Sequence, residues 1–277
     1  MTSGGNQATV KRDRSGTIGI LTFDRPQALN AFNRALMREA GETLQEFGRD
    51  RGVHAVVVHG SGRAFSAGFD LKETLSGAQR TPEALREALE ADLDFILRFW
   101  DCPKPVVAAV HGYCLAGAFE VALACDMTVA AEGTRLGEPE VRFGSGLVAL
   151  LLPWMTTPKL AKELLLTGND QLNARRAYEM GIVNAVVDEG RHLDAAMAMA
   201  RTIAAAGPTA VQLTKRAINR SYEAAGLRQA VLAGLDIDVL IESIGGQEKA
   251  EFNRLRQDKG LKAAIEWRDA RYREPGE

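Results

Sequence analysis

The 277-residue sequence predicts an α/β core over residues 1–206 followed by a purely helical region over 207–277. Three features carry that reading. Short runs of β-branched residues alternate with segments of helical apolar spacing as far as residue 205 or so. A strand ending in Val-His-Gly occurs twice, at 58–60 and 110–112, each time followed by a small-residue loop and a helix, as a strand-and-helix unit used twice would be. From Gly207 onward strand signals stop.

In chain order, ATVKRDR and TIGILTF flank Ser15-Gly16 and predict a hairpin. Leu36, Met37, Ala40, Leu44 and Phe47 recur at helical spacing within 33–49. HAVVVHG predicts a short buried strand, followed by a Gly- and Ala-rich loop, a helix near 82–101 and a second buried strand in PVVAAVHG. Strands near 126–131 and 183–187 then alternate with helices near 158–166 and 173–180. Pro208 can open a helix in its first turn, and 209–223, 227–242 and 247–271 keep helical periodicity without strand signals. Helical tails of this kind have little core of their own, which predicts self-association.

Composition narrows the class. With 46% apolar residues the chain can bury a full core. The 34 Lys and Arg against 36 Asp and Glu leave a formal charge of -2, so no basic field draws in a nucleic-acid backbone. Cys102, Cys114 and Cys125 are odd in number and lack metal-ligand spacing, and the four histidines are scattered, which predicts a reduced, metal-free, cytoplasmic protein. The start, MTSGGNQATVKRDRSG, has no apolar run, and the longest apolar stretch is interrupted by His111, Glu120 and Asp126, so neither a signal nor a membrane span is expected.

Three motifs carry chemistry. In HGYCLAGAFEVALACD, residues 111–126, Glu120 stands in a helical segment with no polar face, and such a helix is buried. Two readings stay open: a core glutamate neutralised by a partner, or one facing an internal cavity with its proton affinity raised. Gly117 lies one turn earlier, where unpaired N–H groups of a helix start can bind an anion. In RAFSAGFDLKE, residues 63–73, Asp70 is a plausible cap for a helix beginning at Leu71, and the small residues before it offer either an ordinary capped loop or a second set of backbone donors. In LGEPEVRFG, residues 136–144, Pro139 stiffens the turn between Glu138 and Glu140. Alone this is a surface turn; beside Glu120 it would give paired carboxyls whose proton affinities are pushed apart.

Taken in this order and spacing, AFSAGFDLKE, HGYCLAGAFEVALACD and GEPE resemble the three signatures of the enoyl-CoA hydratase/isomerase (crotonase) family, over most of residues 8–220. The resemblance implies a crotonase-like spiral of ββα units with a helical C-terminal trimerisation region, assembling as a homotrimer or a hexamer. It implies an acyl-CoA thioester substrate whose coenzyme A is part of the substrate, so no separate cofactor is expected. By the same resemblance the backbone N–H groups of Phe69 and Gly117 form an oxyanion hole for the thioester oxygen. Ala64, Ala67, Gly68, Asp70 and Leu71 line the CoA loop, with Lys72 near the phosphates. Glu120 and Glu140 match two glutamates that hold a water between them, Glu120 mainly as base and Glu140 mainly as acid. The implied reaction adds water across the 2,3 double bond of an enoyl-CoA. The alternative is a double-bond isomerase, for which one carboxylate at the Glu140 position suffices, or another crotonase-fold acyl-CoA reaction such as thioester hydrolysis. The chain departs from the family pattern in VRFGSGLVALLLPWM after Glu140, where a Gly- and Pro-rich loop is usual. It departs also at Gln27, where many relatives carry lysine, at Ala116-Gly117-Ala118 in place of a glycine triplet, and in the tail GLKAAIEWRDARYRE.

Overall fold

A computed structural model describes residues 8–74 and 81–272. The hairpin forms where the sequence places it, from β1 (Val10–Ser15) and β2 (Ile18–Phe23), and Gly16 turns it with a φ of +60° that favours a residue without a Cβ. β1 is a sheet edge, and its exposed charged residues from Lys11 to Arg14 discourage pairing with another chain. The remaining strands are β3 (Ala55–Gly60), β4 (Val106–Val110), β5 (Tyr113–Leu115), β6 (Met127–Ala131), β7 (Arg135–Gly137), β8 (Leu172–Asn173) and β9 (Ala185–Val187). A six-stranded sheet has the order β1-β2-β3-β4-β6-β9, parallel beyond the hairpin, and β5, β7 and β8 form a second, small sheet.

The helices are α1 (Arg34–Arg49), α2 (Leu71–Thr74), α3 (Pro82–Asp101), α4 (Gly117–Ala124), α5 (Leu152–Met155), α6 (Pro158–Thr167), α7 (Ala174–Glu179), α8 (His192–Ala204), α9 (Pro208–Ala224), α10 (Leu227–Ile244), α11 (Gln247–Lys259) and α12 (Leu261–Ala270). Residues alternate across the strands with period two. Val56 and Val58 enter the main core with Leu36 and Leu44 of α1, Phe95 and Phe99 of α3 and Val121 of α4. Ala55 and Val57 point the other way, onto Ala196, Met197 and Ala200 of α8. Both sheet faces are therefore covered, as a parallel sheet requires.

The C-terminal region is helical throughout its described residues, but the expected last helix is two. Gly260 takes φ +88° and ψ 166°, which stops α11 and starts α12, and the two fold against each other. Their shared apolar side, with Phe252, Leu255 and Ala264, rests on Leu71 and Phe143. Phe143 and Phe252 stack with ring centroids 5.1 Å apart. α10 is built into the main core through Leu227, Val231 and Leu235. The small sheet is not anticipated by the sequence, because strands of two and three residues are too short to display a period. Its function is positional: β5 pairs with β7 so that Leu115 lies opposite Gly137, immediately before α4 and immediately before Glu138.

Candidate active site

The start of α4 is fixed by hydrogen bonds on both sides. Ala116 N–H donates to the Gly137 carbonyl at 2.8 Å, and the Ala116 carbonyl accepts from Phe119 at 2.8 Å and Glu120 at 3.1 Å. To do this Ala116 adopts φ +57° and ψ -137°, a region that strains any residue with a Cβ. Ala116→Gly should therefore raise the stability of the fold by roughly 1 kcal/mol, read as a higher melting temperature. An unchanged or lower melting temperature would remove the strain from this turn.

The loop facing α4 is held equally firmly. Phe32 N–H donates to the Gly68 carbonyl at 2.8 Å, Asp70 N–H donates to the Phe32 carbonyl at 3.0 Å, and the Phe69 ring meets Phe32 edge-on at 6.0 Å. Ser66 Oγ accepts from Gly68 N–H at 3.1 Å and donates to the Asn30 carbonyl at 2.9 Å. Loop and helix touch: a Cβ on Gly68 would lie 3.2 Å from Gly117 N, and one on Gly117 would overlap the Phe69 ring. Only glycine permits that approach. The N–H groups of Phe69 and Gly117, brought together here, donate to no protein acceptor among the described residues. Two unpaired amides side by side form a site for a partial negative charge.

The other predicted loop residues divide by exposure. Ala64 and Gly68 are buried, Ala67, Asp70 and Leu71 half-buried, and Lys72 exposed. Asp70 caps α2 by accepting from Lys72 N–H at 3.1 Å and is paired with Arg25 at 3.1 Å, so it braces the loop. Leu71 faces the α11–α12 cluster. Sequence reasoning missed Asn30. Its side chain, wholly buried, donates to the carbonyls of Ser61 and Ala64 at 2.8 Å each and accepts from Arg25 N–H at 2.9 Å. The available signal was Leu29-Asn30 before a small-residue turn, since Asn tolerates the left-handed φ of +54° found there.

Glu120 points inward from the first turn of α4 and is 2% exposed. Its Oε1 accepts from Ala149 N–H at 2.7 Å, while Oε2 is buried without a hydrogen-bond partner among the described residues. Glu140 opens a 3-10 helix, Glu140–Phe143, with Oε2 likewise buried. The two carboxyls are electrostatic neighbours. Burial, then the charge of Glu140, pushes the Glu120 carboxyl well above the usual range. Burial pushes Glu140 up to about 7, opposed by hydrogen bonds from its own backbone N–H and from Glu138. Both carboxyls therefore hold a proton more tightly than a solvated glutamate does, and burial is the first cause in each. The loop after Glu140 supplies the Ala149 N–H and runs against α10, where Asp238, 2% exposed, lies so close to Gly146 that a Cβ there would overlap its Oδ1. Asp238 was not identified from sequence; nothing in the spacing of α10 marks one inward acid as facing a loop ninety residues earlier.

A parallel-sheet α/β fold that brings two unpaired amides to within one helical turn of a buried carboxyl suits acid–base chemistry on a carbonyl compound. The model of the family described as enoyl-CoA hydratase/isomerase matches residues 13–275. The chain belongs to the enoyl-CoA hydratase/isomerase family. It is 34% identical over 266 residues to a protein of Rhizobium meliloti named a probable enoyl-CoA hydratase, covering 88% of this chain and 97% of the relative. It is 33% identical over 217 residues to a short-chain-enoyl-CoA hydratase of Clostridium acetobutylicum, covering 76% of this chain and 81% of that one. The crystal structure of an enoyl-CoA hydratase/isomerase from Xanthobacter autotrophicus Py2 superposes with a TM-score of 0.93 at 45% identity, covering 96% of this chain and 99% of that chain.

Proposed function

We propose that the protein is an enoyl-CoA hydratase. The observation that carries this reading is the juxtaposition of two buried carboxyls, both pushed up by burial, with the free amides of Phe69 and Gly117. The amides receive the thioester oxygen and stabilise the enolate charge that develops there, the largest single contribution expected in such a site. A water sits between Glu120 and Glu140. The ionised carboxyl takes one proton from the water as its oxygen bonds to C3, and the protonated carboxyl gives a proton to C2. Atoms balance: one water is consumed, a 3-hydroxyacyl-CoA forms, and the pair still holds one proton, now on the other member.

The CoA moiety runs over the loop from Ala64 to Lys72, with the exposed Lys72 near its phosphates. The metabolic setting is acyl-CoA chemistry in the cytoplasm, a compartment supported by three buried, free thiols. Among the described residues no metal-binding group of side chains occurs, and no helix is long and apolar enough to cross a membrane. Leu213 and Ile218 of α9 and Leu232, Ile237, Leu240 and Ile244 of α10 expose apolar side chains, which supports burial of this face in a homotrimer or in a hexamer made of two. Sedimentation should give a multiple of three chains; a stable, active monomer would overturn that assembly.

One observation favours a second reading. Glu120 Oε1 is tethered to Ala149 N–H at 2.7 Å, which leaves Glu140 to shuttle a proton alone, the chemistry of a 3-enoyl to 2-enoyl isomerase. A panel of 2-enoyl- and 3-enoyl-CoA thioesters followed by the absorbance of the conjugated thioester decides. Hydration removes the chromophore from 2-enoyl substrates; isomerisation creates it from 3-enoyl ones. Conversion of 3-enoyl substrates with no loss of chromophore from any 2-enoyl substrate would replace hydratase by isomerase.

A further inference from the structure

We propose that Gly146 is a positioning residue for Glu120: without a side chain it lets the loop after Glu140 rest directly on Asp238 of α10, and that seat aims the Ala149 N–H at Glu120 Oε1. The inference deepens the acid–base reading of the site and rests on it. A Cβ on Gly146 would overlap Oδ1 of Asp238 and lie 2.8 Å from its Cγ and 3.1 Å from its Cα. The last of these is backbone and cannot swing aside. Gly146 has no left-handed φ, so space rather than backbone conformation demands glycine here.

The wall that the loop meets is fixed. Asp238 is 2% exposed and shares the inward face of α10 with Leu235 and Val231, one and two turns earlier and both wholly buried. Those two belong to the same core as Val148, Ala149 and Leu151, so helix and loop are packed as one body. Asp238 Oδ1 is buried without a hydrogen-bond partner among the described residues, which makes its contact with Gly146 one of packing.

The path from that contact to Glu120 is short. Ser145 N–H donates to the Glu140 carbonyl at 3.0 Å, and the Ala149 carbonyl accepts from Leu151 N–H at 2.6 Å. Gly146, Leu147 and Val148 are all that separate the first of these anchors from Ala149, so the segment has little slack and a displacement at Gly146 reaches the Ala149 amide. That amide donates to Glu120 Oε1 at 2.7 Å and leaves Oε2, which has no partner among the described residues, as the oxygen free for proton transfer. Ala149 N–H thus sets the rotation of the catalytic carboxyl, and Gly146 sets the place of that N–H.

The test begins in the ligand-free protein, where the Ala149 amide is read by NMR with isotope-labelled alanine and identified by the signal that Ala149→Ser removes. Gly146→Ala should move this amide proton upfield and speed its hydrogen exchange about tenfold or more, as weakening of its hydrogen bond to a carboxyl requires. With a 2-enoyl-CoA, kcat should fall about tenfold or more while KM changes less, because the catalytic carboxyl is misdirected and the CoA loop is untouched. Asp238→Ala opens the same contact from the other side, and Gly146→Ala/Asp238→Ala puts the new methyl group where the carboxyl was. The double variant should recover most of kcat and return the Ala149 signal toward its wild-type position, the non-additivity of residues in direct contact. An unmoved Ala149 signal in Gly146→Ala overturns the proposal, as does a double variant as impaired as Gly146→Ala while both melt like the wild type. If Gly146→Ala does not fold, Asp238→Ala decides: its Ala149 signal should move too, and an unmoved one overturns the proposal. If the wild type instead proves inactive on every enoyl-CoA, the functional reading fails while the ligand-free comparison still decides the role of Gly146.

Discussion

Glu140→Gln lowers kcat for hydration of a 2-enoyl-CoA by about 10²- to 10⁴-fold, the loss expected when a positioned general acid or base is removed, and Glu120→Gln lowers it by about 10²-fold or more. Binding changes less, because neither carboxyl holds the CoA moiety. The double mutant is little worse than the worse single one, since groups that pass a proton between them act as a unit. If the enzyme is a one-carboxylate isomerase, Glu140→Gln abolishes turnover of 3-enoyl-CoA while Glu120→Gln leaves most of it. Near wild-type hydration by Glu120→Gln would return Glu120 to the status of a partnered core residue. The same variant has a stability signature. Glu140 binds its proton more tightly folded than unfolded, about 7 against 4.5, so the folded state is progressively disfavoured as pH rises between those values. Gln at 140 carries no such ionisation. The melting temperature of Glu140→Gln relative to wild type should therefore climb from pH 4.5 to 7 and level off above; a difference that is flat across this window would place the Glu140 carboxyl in an ordinary solvated environment.

Gly117→Ala should cost about 10²- to 10³-fold in kcat, the range measured for loss of one oxyanion donor. The backbone at Gly117 has no left-handed φ, so alanine is acceptable locally and the fold should survive. The damage is steric. The new methyl group would overlap Cε2 and Cδ2 of Phe69, and that ring is backed by Phe32, which in turn meets Phe23 and Phe95 edge-on at 5.1 Å each. The ring cannot retreat into this aromatic cluster, so Phe69 shifts and carries its N–H away from that of Gly117. Gly117→Ala activity within threefold of wild type, in a protein melting normally, would show that the two amides do not act together on the substrate.

Sequence and structure contributed different parts of this site. α1, α3, β3 and β4 were legible because each is long enough to repeat its period several times and each buries a full face, so pattern and packing agree. α10 was legible for the same reason and α9 by its period alone, since Lys215 is its only buried residue, whereas the break at Gly260 was hidden inside a continuous helical period and decided by one glycine in an extended, positive-φ conformation. Glu120 stood out as the one carboxylate in an apolar helix, and that observation needs no coordinates.

Residue types and their local preferences are legible without coordinates: the buried glutamate, the glycine one turn before it, the stiff Glu-Pro-Glu turn. Which of these groups meet is settled by packing between distant segments. The pairing of Leu115 with Gly137 in a sheet of three tiny strands brings the start of α4 beside the Glu138–Glu140 turn, and Asn30, Ser66 and Phe32 carry the Phe69 amide to that of Gly117. Proton affinities follow from those meetings. A carboxyl's burial and its charged neighbours are set by residues far apart in the chain, such as Ala149 and Asp238 around Glu120, and such long-range contacts leave no period or spacing in the sequence.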